Sequence, residues 1–188
     1  MITVLIWYPI NTPLEDPTTL LFDDIYPLPI PNRAEPFRRW GHAGIQFRNV
    51  TSETGRPYED AYRAFWPAVG ADWQRPQTGR VINDRAYDVS EEGSEPSRSI
   101  ALHTGLNEAL IYRYWQSLER MPLQYSNTGF NCCGAVAVSV GDGFSPTQRS
   151  VMPAYPPISF AGGYIPIGYS NPYALEDWVD EVNSVLAR

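Results

Sequence analysis

Lysine is absent from this 188-residue chain: all 14 basic residues are arginines. About ten lysines would be ordinary for this length, since Lys is among the commonest residues. Two readings account for the bias: a GC-rich coding preference, or selection against lysine modification in a protein that acts inside a eukaryotic host. Histidine and cysteine are also scarce, with two of each. The cysteines, Cys132 and Cys133, are adjacent, and a vicinal disulfide is strained, so no structural bridge is expected. Separated ligand pairs for zinc are missing too, and neither a metal nor another cofactor is expected. Positive charge is outweighed: the net charge is −7 and the pI about 4.8. That balance argues against nucleic acid as a partner and gives no attraction to anionic headgroups. No run approaches the roughly 18 apolar residues of a membrane span, so no integral membrane segment is expected. The stretch Met1–Pro9 has neither a basic leader nor a small-residue cleavage site, and a conventional signal peptide is not expected. Synthesis in a reducing cytoplasm follows, and the Asn49-Val50-Thr51 sequon then carries little meaning.

Hydrophobic residues at 43% and charged residues at 19% describe a globular chain, read as one domain over 1–188. Aromatics at 13% and 18 prolines suggest a loop-rich α+β body. Residues 2–8 read as a buried strand, and the Pro/Asp-rich segment 9–36 as a long ordered loop or cover. Over 40–49 the residues alternate, with His42, Gly44 and Gln46 on one face and Ala43, Ile45 and Phe47 on the other. Tyr58 to Pro67 reads as a second strand, giving an antiparallel hairpin. Within 68–99 one strand is expected near Arg80–Val89. Thr104 is placed as the cap of a helix to Arg120, carrying Leu106, Leu110, Tyr114 and Leu118 at helical spacing. After a loop over 121–130, Asn131 caps a helix over 132–140 that Gly141-Asp142-Gly143 stops. Residues 144–172 read as irregular, and a helix over 173–186 closes the chain.

Two segments carry chemistry. Phe130-Asn131-Cys132-Cys133-Gly134-Ala135-Val136-Ala137-Val138 sets the cysteines at the start of a small-residue, apolar helix. Free backbone N–H groups and the helix dipole stabilise a thiolate there, and the same amides can hold an oxyanion. Trp40-Gly41-His42-Ala43-Gly44-Ile45-Gln46-Phe47 sets an imidazole on a strand. A thiol and an imidazole are what a thiol nucleophile needs. Plainer readings exist for each alone: free cysteines are often simply buried, and strand histidines are often structural. His103 has no partner at ligand spacing and reads as a surface residue. Gly162-Gly163 reads as a turn, and the six tryptophans as core, several able to line an apolar groove.

The order, His before Cys, resembles the circularly permuted papain-like group. It includes the lecithin:retinol acyltransferase-like, NlpC-type permuted and deSUMOylating-isopeptidase-like proteins. Gly41-His42-Ala43-Gly44-Ile45 matches the first motif and Asn131-Cys132-Cys133-Gly134-Ala135-Val136 the second. Tyr62-Arg63-Ala64-Phe65-Trp66-Pro67 resembles the aromatic strand of bacterial toxin-type members. The resemblance spans roughly 40–143. It implies a permuted papain-like α+β fold, a small antiparallel sheet packed against the helix that carries the nucleophile. Cys132 takes the nucleophile slot, His42 the general base, Asn131 a loop-fixing or donor role, and Cys133 contributes its backbone amide. The Cys133 side chain, about 100° around the helix, is expected to point elsewhere and pack in the core. Acyltransferase-like members carry a further His on the next strand, where this chain has Ala64. The site is then a dyad or borrows another group: Gln46 is preferred, with Asp60 and Tyr62 as alternatives.

The implied activity is a cysteine hydrolase working through a thioester on an amide (peptide, isopeptide or cell-wall peptide) or a lipid ester. Acyl transfer, or a non-catalytic binding module on the same fold, are the alternatives. Toxin-type likeness further implies a bacterial effector, exported by a specialised system into a target cell, with an immunity protein as partner.

Overall fold

The computed structural model describes residues 1–8, 41–68, 77–121, 123–126, 130–153 and 171–188. The expected cover 9–36, Trp40, Trp73 and the Gly162-Gly163 turn lie outside the described residues.

Among the described residues, six strands form one antiparallel sheet: β1 (Ile2–Trp7), β2 (His42–Phe47), β3 (Ala61–Pro67), β4 (Gln77–Ile82), β5 (Arg98–Ala101) and β6 (Gln124–Tyr125), in the order β5-β1-β2-β3-β4-β6. Five helices are described with it: α1 (Arg85–Glu92), α2 (Glu108–Arg120), α3 (Cys132–Asp142), α4 (Pro146–Arg149) and α5 (Pro172–Leu186). The architecture is therefore α+β. None of the described helices is long and apolar enough to cross a membrane.

Strand alternation sorts the side chains into two layers. Ile2, Val4 and Ile6 of β1, Ala43, Ile45 and Phe47 of β2, and Phe65 of β3 join one large apolar core. Helices α2, α3 and α5 complete it with Ile111, Trp115, Val136, Val140, Leu175 and Val179. The opposite face holds a smaller cluster of Leu5, Trp7, Tyr62, Ala64 and Trp66, against which Tyr87 and Val89 of α1 pack. The expected division of β2, with His42, Gly44 and Gln46 opposed to Ala43, Ile45 and Phe47, matches these layers.

Helix α3 is buried nearly all round, from Cys132 to Ala137 and again at Ser139 and Val140. Its small residues allow close approach to the strands beneath it. Asn131 caps it as expected, its side chain accepting from the Gly134 N–H at 3.0 Å. The helix runs to Asp142, two residues beyond the expected end.

Three local expectations are corrected. Residues 85–92 are helical rather than the end of a strand: Asp84 caps α1 by accepting from the Ala86 N–H, and Gly93 ends it in the left-handed region (φ 71°). Helix α2 starts at Glu108 with Asn107 as its cap, not at Thr104, because Gly105 (φ 116°) takes the preceding backbone out of helical geometry. A strand at 98–101 closes the sheet edge beside β1 where no strand was expected.

Candidate active site

His42 opens β2 opposite Trp7, the last residue of β1. Cys132 opens α3. The two meet at one end of the sheet, where the apolar layer and the α1 layer come together. Cys132 is supplied from the first layer, and the second supplies a residue the sequence reading passed over, Asp88 of α1.

Asp88 is wholly buried and receives three hydrogen bonds. Its Oδ2 sits 2.7 Å from His42 Nε2 and also accepts from the Tyr62 hydroxyl. Its Oδ1 accepts from Trp66 Nε1 at 2.8 Å. With Nε2 engaged by the carboxylate, Nδ1 is the ring nitrogen left to the thiol. The imidazole is flanked by two indoles, with ring centroids 5.5 Å away at Trp7 and 4.5 Å at Trp66. Gly44 makes room for this arrangement. A Cβ there would come within 2.2 Å of the Tyr62 hydroxyl, so only glycine lets Tyr62 lie across β2 towards Asp88.

The electrostatics follow from these neighbours. The Cys132 thiol is held well below its ordinary value: the Cys133 thiol donates to it, which outweighs burial, and the charge and hydrogen bond of His42 and the Ala43 N–H act in the same direction. Burial works against the His42 imidazolium. The charges and hydrogen bonds of Cys132 and Asp88 overcome it and hold the imidazole well above its ordinary value. These two shifts describe a thiolate–imidazolium pair. Cys133 is pushed the other way by its hydrogen bond to Cys132 and by burial. It packs in the core, 1% exposed.

The remaining expected residues fall as follows. Gln46 does not serve the imidazole; its side-chain amide donates to Ala61 O at 3.0 Å and Phe47 O at 3.3 Å. Asp60 accepts from the Asn49 N–H, and Tyr62 reaches His42 only through Asp88. Ala64 lies buried opposite Gly44 with no polar atom to offer. His103 is exposed. Asn131 occupies the Gly134 amide, leaving those of Cys132 and Cys133 as the first-turn donors beside the sulfur. A further donor, unforeseen, is Tyr125 on β6: burial first, then the charge and hydrogen bond of Cys132, hold its phenol in the protonated form.

Trp7, Trp66, Trp115 and Trp178 are buried. Among the described residues, no group of three or more His, Cys, Asp or Glu is placed to hold a metal ion. Comparisons with family models, curated proteins and solved structures return no match.

Proposed function

We propose that this chain is a cysteine-dependent hydrolase in which Cys132, His42 and Asp88 act together through a thioester. The observation that carries the reading is the wholly buried Asp88 carboxylate 2.7 Å from His42 Nε2, beside a thiol that the charge and hydrogen bonding of its neighbours, His42 among them, hold well below its ordinary value. Asp88 fixes the ring and balances the imidazolium. The thiolate attacks a carbonyl carbon, and the Cys132 and Cys133 amides with the Tyr125 hydroxyl are the donors available to the oxyanion. The imidazolium then gives its proton to the leaving group, and water, activated by the neutral imidazole, hydrolyses the acyl-enzyme.

The substrate is an amide or an ester, whose amine or alcohol leaves as the acyl group passes to Cys132, and hydrolysis is favoured over transfer because water needs no second binding site. A strand histidine followed by a helix-borne cysteine on an antiparallel sheet is also what supports the permuted papain-like reading.

Iodoacetamide alkylation of Cys132, followed across pH, tests the pair. Wild type should react well below the free-thiol pKa of about 8.5. His42→Ala should move the reaction to the range of an ordinary thiol. An inert Cys132 in both proteins would overturn the reading in favour of a packed, non-catalytic thiol.

A further inference from the structure

Among the described residues, Glu92 is the buried carboxyl near the nucleophile to which the mechanism gives no role. It lies one helical turn beyond Asp88 on α1, only 4% exposed, and its Oε2 has no hydrogen-bond partner among the described residues. An unsatisfied buried acceptor is costly, so its natural complement is a donor that arrives with a ligand. Asp88 differs in this respect, being filled by three donors of the protein itself.

The groups facing Glu92 decide the character of that donor. His42 of β2 favours its ionised form; Cys132 of α3, with Asp88 and Glu91 of its own helix, opposes it. Cys133 and Tyr125 of β6 also feel its charge. Arg85 of the same helix pairs with Glu95 through a terminal nitrogen, while its buried Nε has no hydrogen-bond partner among the described residues and does not reach Glu92 Oε2. His42 therefore faces Cys132, Asp88 and, above about pH 7, an ionised Glu92, with the Arg85 guanidinium felt at Tyr62 but paired with Glu95. Buried charge out of balance is costly, and a cation carrying N–H donors would restore the balance and satisfy Oε2 together.

We propose that the site takes an acyl substrate with a protonated primary amine beside the scissile carbonyl, and that Glu92 receives that amine. This rests on Cys132 being the nucleophile. A quaternary ammonium would bring charge but no N–H for Oε2. An amino-acyl or peptidyl amine is favoured over a lipid headgroup. A chain with net charge −7 and no lysine has little to draw it to an anionic membrane surface.

Methanethiosulfonate reagents provide the test, since each transfers its thioalkyl group to a thiolate and releases methanesulfinate. Labelling rates at Cys132, located by fragment mass spectrometry, are compared for the neutral methyl, primary aminoethyl and trimethylammonioethyl reagents. Taking the rate ratio of two reagents cancels the thiolate fraction. At pH 8 the aminoethyl-to-methyl ratio should be about tenfold higher in wild type than in Glu92→Gln, as one charge-assisted hydrogen bond implies. The trimethylammonioethyl reagent should show a smaller gain. In wild type the aminoethyl preference should also fade as pH drops below about 7, where Glu92 takes up its proton. That second measurement stands even if Glu92→Gln fails to fold. A ratio that is unchanged in Glu92→Gln, or flat with pH, would overturn the proposal. If no reagent labels Cys132, the nucleophile assignment itself falls and this proposal with it.

Protection of Cys132 from the methyl reagent separates the amine's sources. Alanyl-alaninamide should protect and its N-acetyl form should not. Protection by glycerophosphoethanolamine alone would overturn the peptidyl assignment.

Discussion

The two faces of the sheet are built by different means. Beneath α2, α3 and α5, specificity comes from apolar shape: Ile2, Val4, Ile45, Phe47, Ile111, Trp115, Val136 and Leu175 meet in a continuous core. Beneath α1 the apolar cluster is small, and order comes from hydrogen bonds converging on Asp88. The first face holds the molecule together, and the second aims an imidazole. A buried polar network is worth having only when it is complete, because each missing partner leaves a desolvated group behind. Damage to the second face should therefore appear in chemistry before it appears in folding, and damage to the first should do the reverse.

Asp88→Asn probes that contrast most strongly. The amide keeps the shape but loses the charge that supports the imidazolium. Reactivity of Cys132 at neutral pH should fall by on the order of 10²–10⁴-fold. The pair is reactive above the depressed pKa of Cys132 and below the raised pKa of His42, so losing the Asp88 charge should shift the alkaline limit to lower pH. Alkylation rates across pH check both points, and an unchanged profile would remove Asp88 from the mechanism.

On the other face, Ile111→Ala should cost about 2–5 kcal/mol of stability by opening a cavity. Urea denaturation measures the loss, while alkylation of Cys132 in the still-folded protein should stay near the wild-type rate. A large loss of reactivity without loss of stability would erase the distinction between the faces.

Glu92→Gln should act through stability in a pH-dependent way. Burial raises the Glu92 pKa to about 7 from an ordinary 4.5, so the folded state holds a proton that the unfolded chain releases. Its favourable linkage is complete below pH 4.5 and fades as pH rises through 7. Relative to wild type, the variant should gain up to roughly 3 kcal/mol by pH 8, and this difference should largely vanish near pH 4. Denaturation midpoints at the two pH values decide it; equal differences at both would contradict a raised Glu92.

Gly44→Ala is the gentlest probe. The added Cβ must displace the Tyr62 ring, at a cost of about 1–3 kcal/mol, and Asp88 loses one of its donors. The thiol pKa of Cys132 should rise by less than a unit. In a Tyr62→Phe background, which already lacks that donor, Gly44→Ala should add little further rise.

The same contrast explains what could be read from the sequence. Apolar periodicity and caps revealed the first face: β1, β2, β3, the Asn131 cap, the Cys132 helix and the closing helix are all visible in the pattern of side chains. Cys132 and His42 were legible because their local settings, a helix start and a strand, are themselves patterned. Helix α1 was not legible because its buried positions include Asp88 and Glu92, which erase the periodicity that marks a packed helix. What remained was the bracket of Asp84 at the start and Gly93 at the end, with eight residues between them and two acids, Asp88 and Glu92, at i and i+4. Gln46 was a reasonable guess from strand parity, yet parity says only which face a residue shares, and the carboxylate came from across the layer. Tyr125 sits on a two-residue strand, too short to announce itself.

The two indoles around His42 give the site an optical readout. A protonated imidazole near an indole quenches its emission, so the fluorescence of Trp66 and Trp7 reports the proton on the ring without any substrate or label. Light emitted by this protein should track the charge state of its own base.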